Sequence, residues 1–416
     1  MKELLKTVIA DQLQLGWKET NVTREIPDEM VFNKGLVVIT GIRRCGKSTL
    51  MHQIRSRLRE KDFYLNFDDE RLIQFQVEHF QVLHELFIEL FGEQKTFYFD
   101  EIQNITGWER FIRRLDDYGY KIFITGSNAR MLSRELGTHL TGRYIQIELF
   151  PFSFREYLDW SHATLTEPEI SSTTGKAKAA RLFNDYLTGG GFPAFLESKN
   201  DQYLKSLYES ILYRDVMVRN NLTNEKELLE LVYYLASNVS KLSSNNSLTK
   251  VIGVKNATTI KNYLGFLQDT YLLFQINKYD PSLKKQLHNS KKTYFIDNAI
   301  VLKLGFSFSA QSGRMLENLI FIELKRRGKE VYYHHNRAEC DFVIREASTI
   351  TEVIQVCYLF DEPAVREREI KGITEAMTQY GLTKGTIITV GTTRELEISG
   401  MSISVKEAWF WLLKVG

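Results

Sequence analysis

The first residues, MKELLKTVIADQLQLGW, mix charged and apolar positions with helical spacing and predict an amphipathic lead-in helix ending near Asn21. The pattern changes at Leu36–Thr40, an apolar run that reads as a buried parallel strand and meets glycine at Gly41. LMHQIRSRLRE follows with the spacing of an amphipathic helix. Two further strands are predicted at the aromatic-rich KTFYFDEIQ (Lys95–Gln103) and at Tyr120–Thr125, each ending in polar residues. Between about Arg181 and Asn221 helical patterns surround GGGFP (Gly189–Pro193), a glycine cluster that marks a hinge or a close approach, here read as a lid hinge. The next segment offers three helical patterns, with Asn256–Thr259 capping a helix near Ile260–Asp269, the arrangement of a winged helix-turn-helix. From about Gly313 a helix containing Glu317 and Glu323 precedes strands around Val331, Phe342 and Val353. Strand and helix periods in this alternation predict an α/β protein.

Composition narrows the picture. A chain of 416 residues exceeds what one core usually organises, so two or three domains are expected. With 43% hydrophobic and 12% aromatic residues and six prolines, no low-complexity stretch stands out and the chain should be globular throughout. Lys and Arg (54) nearly balance Asp and Glu (52), and the net charge of +2 removes any global electrostatic argument for nucleic acid or an anionic membrane. Any basic surface is local. Cys45, Cys340 and Cys357 have neither paired framework spacing nor a CxxC clip, which points to a reducing, cytoplasmic compartment and away from structural zinc. The lead-in lacks a signal-type apolar core and no later segment reaches spanning length, so no membrane insertion is expected.

The strand-to-helix junction carries the chemistry. GIRRCGKST, comprising Gly41, Ile42, Arg43, Arg44, Cys45, Gly46, Lys47, Ser48 and Thr49, satisfies G-x-x-x-x-G-K-[ST] between a predicted strand and a predicted helix. Glycines let backbone N–H groups curl around phosphate, the helix N-terminus adds positive dipole, Lys47 reaches the outer phosphates and Ser48 ligates magnesium. The competing reading is a plain strand-to-helix turn. Against it stands KTFYFDEIQ, whose strand ends in adjacent carboxylates, placing Asp100 near magnesium and Glu101 near an attacking water. Without the upstream loop, the same pair would serve equally as a helix cap. Ser127 and Asn128 end the third strand, where they either sense a γ-phosphate or cap a helix. Arg143 follows Gly142 and precedes another strand, a position for a guanidinium that reaches a neighbouring subunit's nucleotide or makes a surface salt bridge. These residues imply ATP and Mg2+ as ligands.

The sequence resembles the prokaryotic AAA-type ATPases that carry an AAA_14-like ATPase domain followed by a DUF4143 domain. The resemblance lies in VVITGIRRCGKSTLM, YLNFDDERL, FYFDEIQNITGWERFIRRL, IFITGSNARMLSRELGTHLTGRY with LFPFSFREYL, YLTGGGFPAFL, ILYRDVMVRNN, GRMLENLIFIELKRRG and ECDFVI, nearly the whole chain. It implies an AAA+ parallel sheet flanked by helices with a helical lid, Walker A at Gly41–Ser48, Walker B at Asp100 and Glu101, sensor one at Ser127 and an arginine finger at Arg143. The domains are then expected at 1–160 (ATPase core), 161–225 (lid), 226–295 (winged-helix-like) and 296–416 (DUF4143, nuclease-like).

In the winged-helix-like segment Lys255 and Lys261 would lie near phosphates and Asn262 near base edges, or the segment serves only protein packing. Lys284, Lys285, Lys291 and Lys292 form a phosphate-facing strip on the wing or a solvated hairpin. The last domain resembles the PD-(D/E)xK nuclease core of related family members. Glu317 and Asp341 fit the first two acids, but VIQVCY puts Gln355 at the third acid and Cys357 at the lysine, so cutting would need a substitute such as Lys371. Binding or scaffolding is the expected role there. His334 and His335 sit side by side on a strand, face opposite ways, and are read as structural. The expectation is an ATPase whose nucleotide state repositions C-terminal modules against a partner, with a DNA-binding switch and a slow-turnover scaffold as alternatives; homo-oligomerisation is open.

Overall fold

The computed structural model describes residues 1–14, 22–24, 26–32, 35–128, 144–305, 312–391 and 393–414. The chain forms two compact units, Met1–Phe150 with Asp269–Tyr271, and Pro151–Gln268 with Leu272–Gly416.

The first unit is built on five parallel strands, β1 (Leu36–Gly41), β2 (Tyr64–Asn66), β3 (Thr96–Asp100), β4 (Lys121–Gly126) and β5 (Tyr144–Leu149), in the order β2-β3-β4-β1-β5. β1 and β3 are buried at every position, which explains their continuous apolar reading. The lead-in helix Lys2–Gln14 buries Leu5, Val8 and Ile9, spaced to share one face, in a core that includes Phe63, Phe87, Phe97, Phe99 and Trp108. The sheet order inserts β4 between β1 and β3. The loop that leaves β1 and the carboxylates that end β3 therefore face each other across the end of β4.

The second unit begins with helix Phe154–Trp160, capped by a reciprocal Ser153–Glu156 box, and helix Thr173–Gly189. The glycine cluster that follows is a close approach. Asp297 accepts a hydrogen bond from the Gly191 amide at 2.7 Å, and the Phe152 amide donates to the Gly191 carbonyl at 2.8 Å. A Cβ on Gly191 would fall 2.3 Å from the Phe152 carbonyl oxygen. Downstream come helix Glu225–Ser237, β6 (Leu242–Ser243), helices Asn245–Ile252 and Ala257–Asp269, β7 (Leu273–Asn277), helix Leu283–His288 and β8 (Lys291–Phe295). The three strands pair antiparallel in the order β6-β8-β7. Asn256 caps the third helix, its side-chain oxygen accepting from the Thr259 amide at 3.0 Å.

The chain then forms helix Ser312–Arg326 and a six-stranded mixed sheet, β9 (Glu330–His335), β10 (Glu339–Glu346), β11 (Thr349–Val356), β12 (Lys384–Thr389), β13 (Arg394–Ile398) and β14 (Met401–Glu407), with helix Pro363–Tyr380 between β11 and β12. Its order is β13-β14-β12-β11-β10-β9. The register of β10 against β9 shifts between Cys340 and Val343, the interval that holds Asp341; such irregularities re-aim a side chain. His334 is buried against Tyr380 and Glu375, while His335, the last residue of β9, is exposed. All three cysteines are buried free thiols. Among the described residues no helix is long and apolar enough to cross a membrane.

Candidate nucleotide site

Gly41 closes β1 with φ 149°, and a Cβ there would come within 2.1 Å of the Leu149 carbonyl, so only glycine lets the loop leave the sheet beside β5. Arg44 (φ 65°) and Gly46 (φ 101°) turn the backbone through left-handed conformations, and Gly46 caps the helix Lys47–Arg57. The first amides of that helix have no intrahelical acceptors, and the helix dipole adds to their positive field. This is the geometry of an anion-binding loop.

Lys47 is 4% exposed and folds back over the loop, donating to the carbonyls of Gly41 and Ile42 at 3.2 Å each, with Glu101 at 3.7 Å. Asp100, the last residue of β3, is fully buried. It accepts hydrogen bonds from the hydroxyls of Thr125 and Ser48, and Tyr64 donates to it at 3.4 Å. Burial, and then the Glu101 charge, push its carboxyl up to about 6. Glu101 lies one residue beyond the strand at φ 52°; its amide donates to the Thr125 hydroxyl at 2.9 Å and its carboxylate accepts from Gln103. One hydroxyl on β4 thus positions both acids.

Ser127 is 3% exposed, and its hydroxyl has no partner among the described residues. The neighbouring Asn128 is also buried. Arg143 lies outside the described residues. A hydroxyl–carboxylate pair, Ser48 with Asp100, beside a buried lysine and an unsatisfied hydroxyl is a hard-oxygen donor set that fits Mg2+.

Several residues of this site give no sequence signal. Arg24 is 6% exposed and spans the loop, donating to the Cys45 carbonyl at 3.1 Å and to the Phe150 carbonyl at 2.6 Å. Its amide donates to Gln53, which in turn donates to Val22. Tyr64 on β2 and Gln103 join only through the fold. Thr125 is the exception, since its place at the end of the third strand, two residues before Ser127, marks it for the same reason.

The structure brings Glu317, Asp341 and Gln355 together in the second unit, along a cavity of about 1020 Å³. Gln355 accepts from the Asp341 amide at 3.1 Å and donates to Glu369. Cys357 and Lys371 also line the cavity. The cation among the acids is Lys292, however, which was expected on a solvent-facing wing. It is 2% exposed, with its ammonium 2.6 Å from Glu339, 2.8 Å from Asp341 and 3.0 Å from Glu317. Lys291 opens β8 and stays partly exposed, while Lys292 and the three residues after it are buried, with Lys292 turned to the opposite face from Lys291.

Comparison with known proteins agrees with the first unit's architecture. The AAA domain family (AAA_14) matches residues 33–158, and a domain of unknown function, DUF8612, matches 180–311; the latter is a different family from the expected DUF4143. Uncharacterized protein MJ1544 of Methanocaldococcus jannaschii is 35% identical over 92% of this chain and 87% of its own length. An uncharacterized protein of Haemophilus influenzae is 30% identical over 89% of this chain and 93% of its own. Among solved structures, AMPPCP-bound DnaA from Aquifex aeolicus is 16% identical over 58% of this chain and 84% of that one, with a TM-score of 0.25. A Thermotoga maritima RuvB variant is 15% identical over 66% and 88%, with a TM-score of 0.28. The chain belongs to the family of MJ1544 and its Haemophilus relative, and its residues 33–158 match the AAA domain family.

Proposed function

We propose that this protein is a Mg2+-dependent ATP hydrolase whose nucleotide state repositions its C-terminal modules against a partner. The carrying observation is the convergence of Lys47, Ser48, Asp100 and Glu101 at the ends of β1 and β3, with Thr125 of the intervening strand bonded to both acids. In this reading the loop amides and Lys47 hold the phosphates, and Ser48 and Asp100 hold Mg2+. Glu101 orients and deprotonates water, and Ser127 contacts the γ-phosphate. Mg2+, when bound, neutralises phosphate charge. The test is steady-state hydrolysis by the wild type and by Glu101→Gln, with Lys47→Ala and omission of magnesium as controls. Turnover retained at wild-type level by Glu101→Gln would sink the assignment.

A second reading, that nucleic acid is the partner, has its own support. Residues 226–295 follow a helix, strand, helix, helix, strand, helix, strand order with a β6-β8-β7 sheet, which supports a winged-helix reading with one added helix, Leu283–His288, between the last two strands. Lys261 on the third helix and Lys291 on β8 are close enough that, after burial, the Lys261 charge lowers the Lys291 pKa. A phosphate would relieve that repulsion. Binding of duplex DNA that weakens steeply with salt, and a rise in ATP turnover on adding DNA, are the expected signs. Turnover and mobility unchanged by DNA at low salt would direct the search to a protein partner.

A further inference from the structure

The large cavity of the second unit is used neither by the proposed ATPase chemistry nor by the proposed nucleic-acid face at Lys261 and Lys291, and its charges do not balance. Six basic side chains and four acidic ones line it. All four acids are engaged from within. Lys292 lies 2.6 Å from Glu339, 2.8 Å from Asp341 and 3.0 Å from Glu317, and Tyr294 donates to the same Glu317 oxygen at 2.7 Å. The second Asp341 oxygen accepts from the Val356 amide at 3.0 Å. Glu369, the fourth acid, accepts from Arg368 at 3.0 Å and from Gln355. Burial opposes the Lys292 charge, yet Asp341, Glu317, Tyr294 and Glu339 outweigh it and hold the ammonium well above its usual pKa, so the neutralisation persists at neutral pH. Burial also pushes the Cys357 thiol up to about 12, so it adds no negative charge to the wall.

With Lys292 and Arg368 committed to the acids, four cations remain: Lys241, Arg314, Arg337 and Lys371. Among the described residues none of them has a carboxylate partner. Lys241 donates to the Asn238 side chain at 2.9 Å, and the side chains of the other three make no hydrogen bond there. They come from four separate places in the chain: the residue before β6, helix Ser312–Arg326, the turn between β9 and β10, and helix Pro363–Tyr380. A lone lysine on a convex surface is solvated and needs no counter-ion. Four unpaired cations converging on one concavity are different, because low-dielectric walls focus their field. Arg314 is half-buried, and Ser312 and Gly313 of the same first helical turn also line the space, so the positive end of that helix adds to the field. The volume, about 1020 Å³, lies at the upper end of small-ligand pockets and suits a molecule of nucleotide size rather than a duplex. Tyr358, Leu359 and Val365 supply an apolar stretch of wall.

We propose that this cavity is a receptor for a small polyanion of nucleotide size that carries at least two phosphate groups. Lys241, Arg314, Arg337 and Lys371 neutralise the phosphates, the two arginines being able to do so bidentately, and the wall at Tyr358, Leu359 and Val365 seats the organic part. Lys292 and Arg368 act indirectly, screening the four acids from the anion. The site is separate from the nucleotide loop and does not depend on the ATPase reading.

The experiment is calorimetric titration of the full chain in magnesium-free buffer, in a Lys47→Ala background that weakens the nucleotide loop. The probes are inorganic tripolyphosphate, adenosine 3′,5′-bisphosphate and a single strand of about eight nucleotides. At about 0.1 M salt at least one should bind once per chain, and more weakly as salt rises. Arg314→Gln/Lys371→Gln should weaken that binding at least about tenfold, and Lys241→Gln/Arg337→Gln gives the same test from the other two elements should the first pair fail to fold. Lys261→Ala should leave it within about twofold. Tighter binding of the bisphosphate than of the other probes identifies a nucleotide as the source of the phosphates, and tighter binding of the strand identifies a nucleic-acid end; either supports the receptor if the cavity variants abolish it. Failure of all three probes, binding that the cavity variants leave unchanged, or loss in Lys261→Ala alone overturns the proposal.

Discussion

Lys47 pairs with Glu101 across 3.7 Å while also donating to two carbonyls of its own loop, so the proposed phosphate-binding cation and the proposed water-activating base hold each other. On the proposed reading, an incoming nucleotide takes Lys47 from those oxygens and frees the Glu101 carboxylate to meet water. Lys47→Ala is expected to lose nucleotide affinity by at least about tenfold, since it removes the buried ammonium that folds back over the loop. Glu101→Gln keeps size and hydrogen bonding but loses basicity; turnover should fall by about a hundredfold or more while affinity stays within about threefold. Fluorescent-nucleotide binding alongside phosphate release separates the two effects, and parallel loss of affinity in Glu101→Gln would contradict the division of labour.

Asp100 yields a pH signature. Its folded pKa, about 6, lies above the ordinary value of 3.8, so the fold favours the protonated form. The associated stability is fully present below about pH 4 and is lost as pH rises through 6. Above that the ionised, buried carboxylate costs the nucleotide-free protein on the order of 3 kcal/mol, from a shift of about two units. Asp100→Asn carries no such cost. In urea melts without nucleotide the variant should be the more stable protein at pH 8, with the gap shrinking toward pH 5, although it hydrolyses nothing. A gap that does not change with pH would show that Asp100 does not titrate as described.

How much of this was legible follows from distance along the chain. The loop Gly41–Ser48 is contiguous, and each residue type answers a local demand of phosphate geometry, so its chemistry can be read in a line. The Asp100–Glu101 pair needed the strand that precedes it and the glycine loop upstream, without which it reads equally as a helix cap. Lys292 failed for the opposite reason: its partners Glu317, Glu339 and Asp341 lie 25 or more positions away, and beside Lys291 it looks like one of two equivalent surface lysines. Alternation along β8 separates them, but which face is buried is decided by strands and helices that the local sequence does not name. The same holds for Gly190 and Gly191, where composition marks a break in helical pattern and only Asp297 and Phe152 show that it is a close approach.

Arg24 belongs to the illegible part and makes a direct prediction. Its guanidinium joins the loop carbonyl of Cys45 to the carbonyl of Phe150 from a buried position, a two-pronged contact that lysine cannot copy. Arg24→Ala and Arg24→Lys should both lower stability, by about 2–4 kcal/mol for two lost charge-assisted bonds with buried acceptors. They should also raise the KM for ATP more than they lower kcat, because the loop loses its brace while the acids keep theirs. Full rescue by lysine would reduce Arg24 to a simple point charge.

Ser127 offers the sharpest separation of stability from function. A buried hydroxyl without a partner costs a fold roughly 1–3 kcal/mol, and replacing it with a methyl removes that cost while leaving only a small gap. Ser127→Ala should therefore be as stable as the wild type or slightly more so. If the hydroxyl is left unsatisfied because the γ-phosphate completes it, the same change should lower kcat by about ten- to a hundredfold with little effect on ADP affinity, since ADP lacks the group it would meet. Ser127→Thr keeps the hydroxyl and should retain part of the rate. An alanine variant with undiminished turnover would mean that this hydroxyl plays no part in hydrolysis, and the search for the γ-phosphate contact would move to Asn128, its buried neighbour at the end of β4.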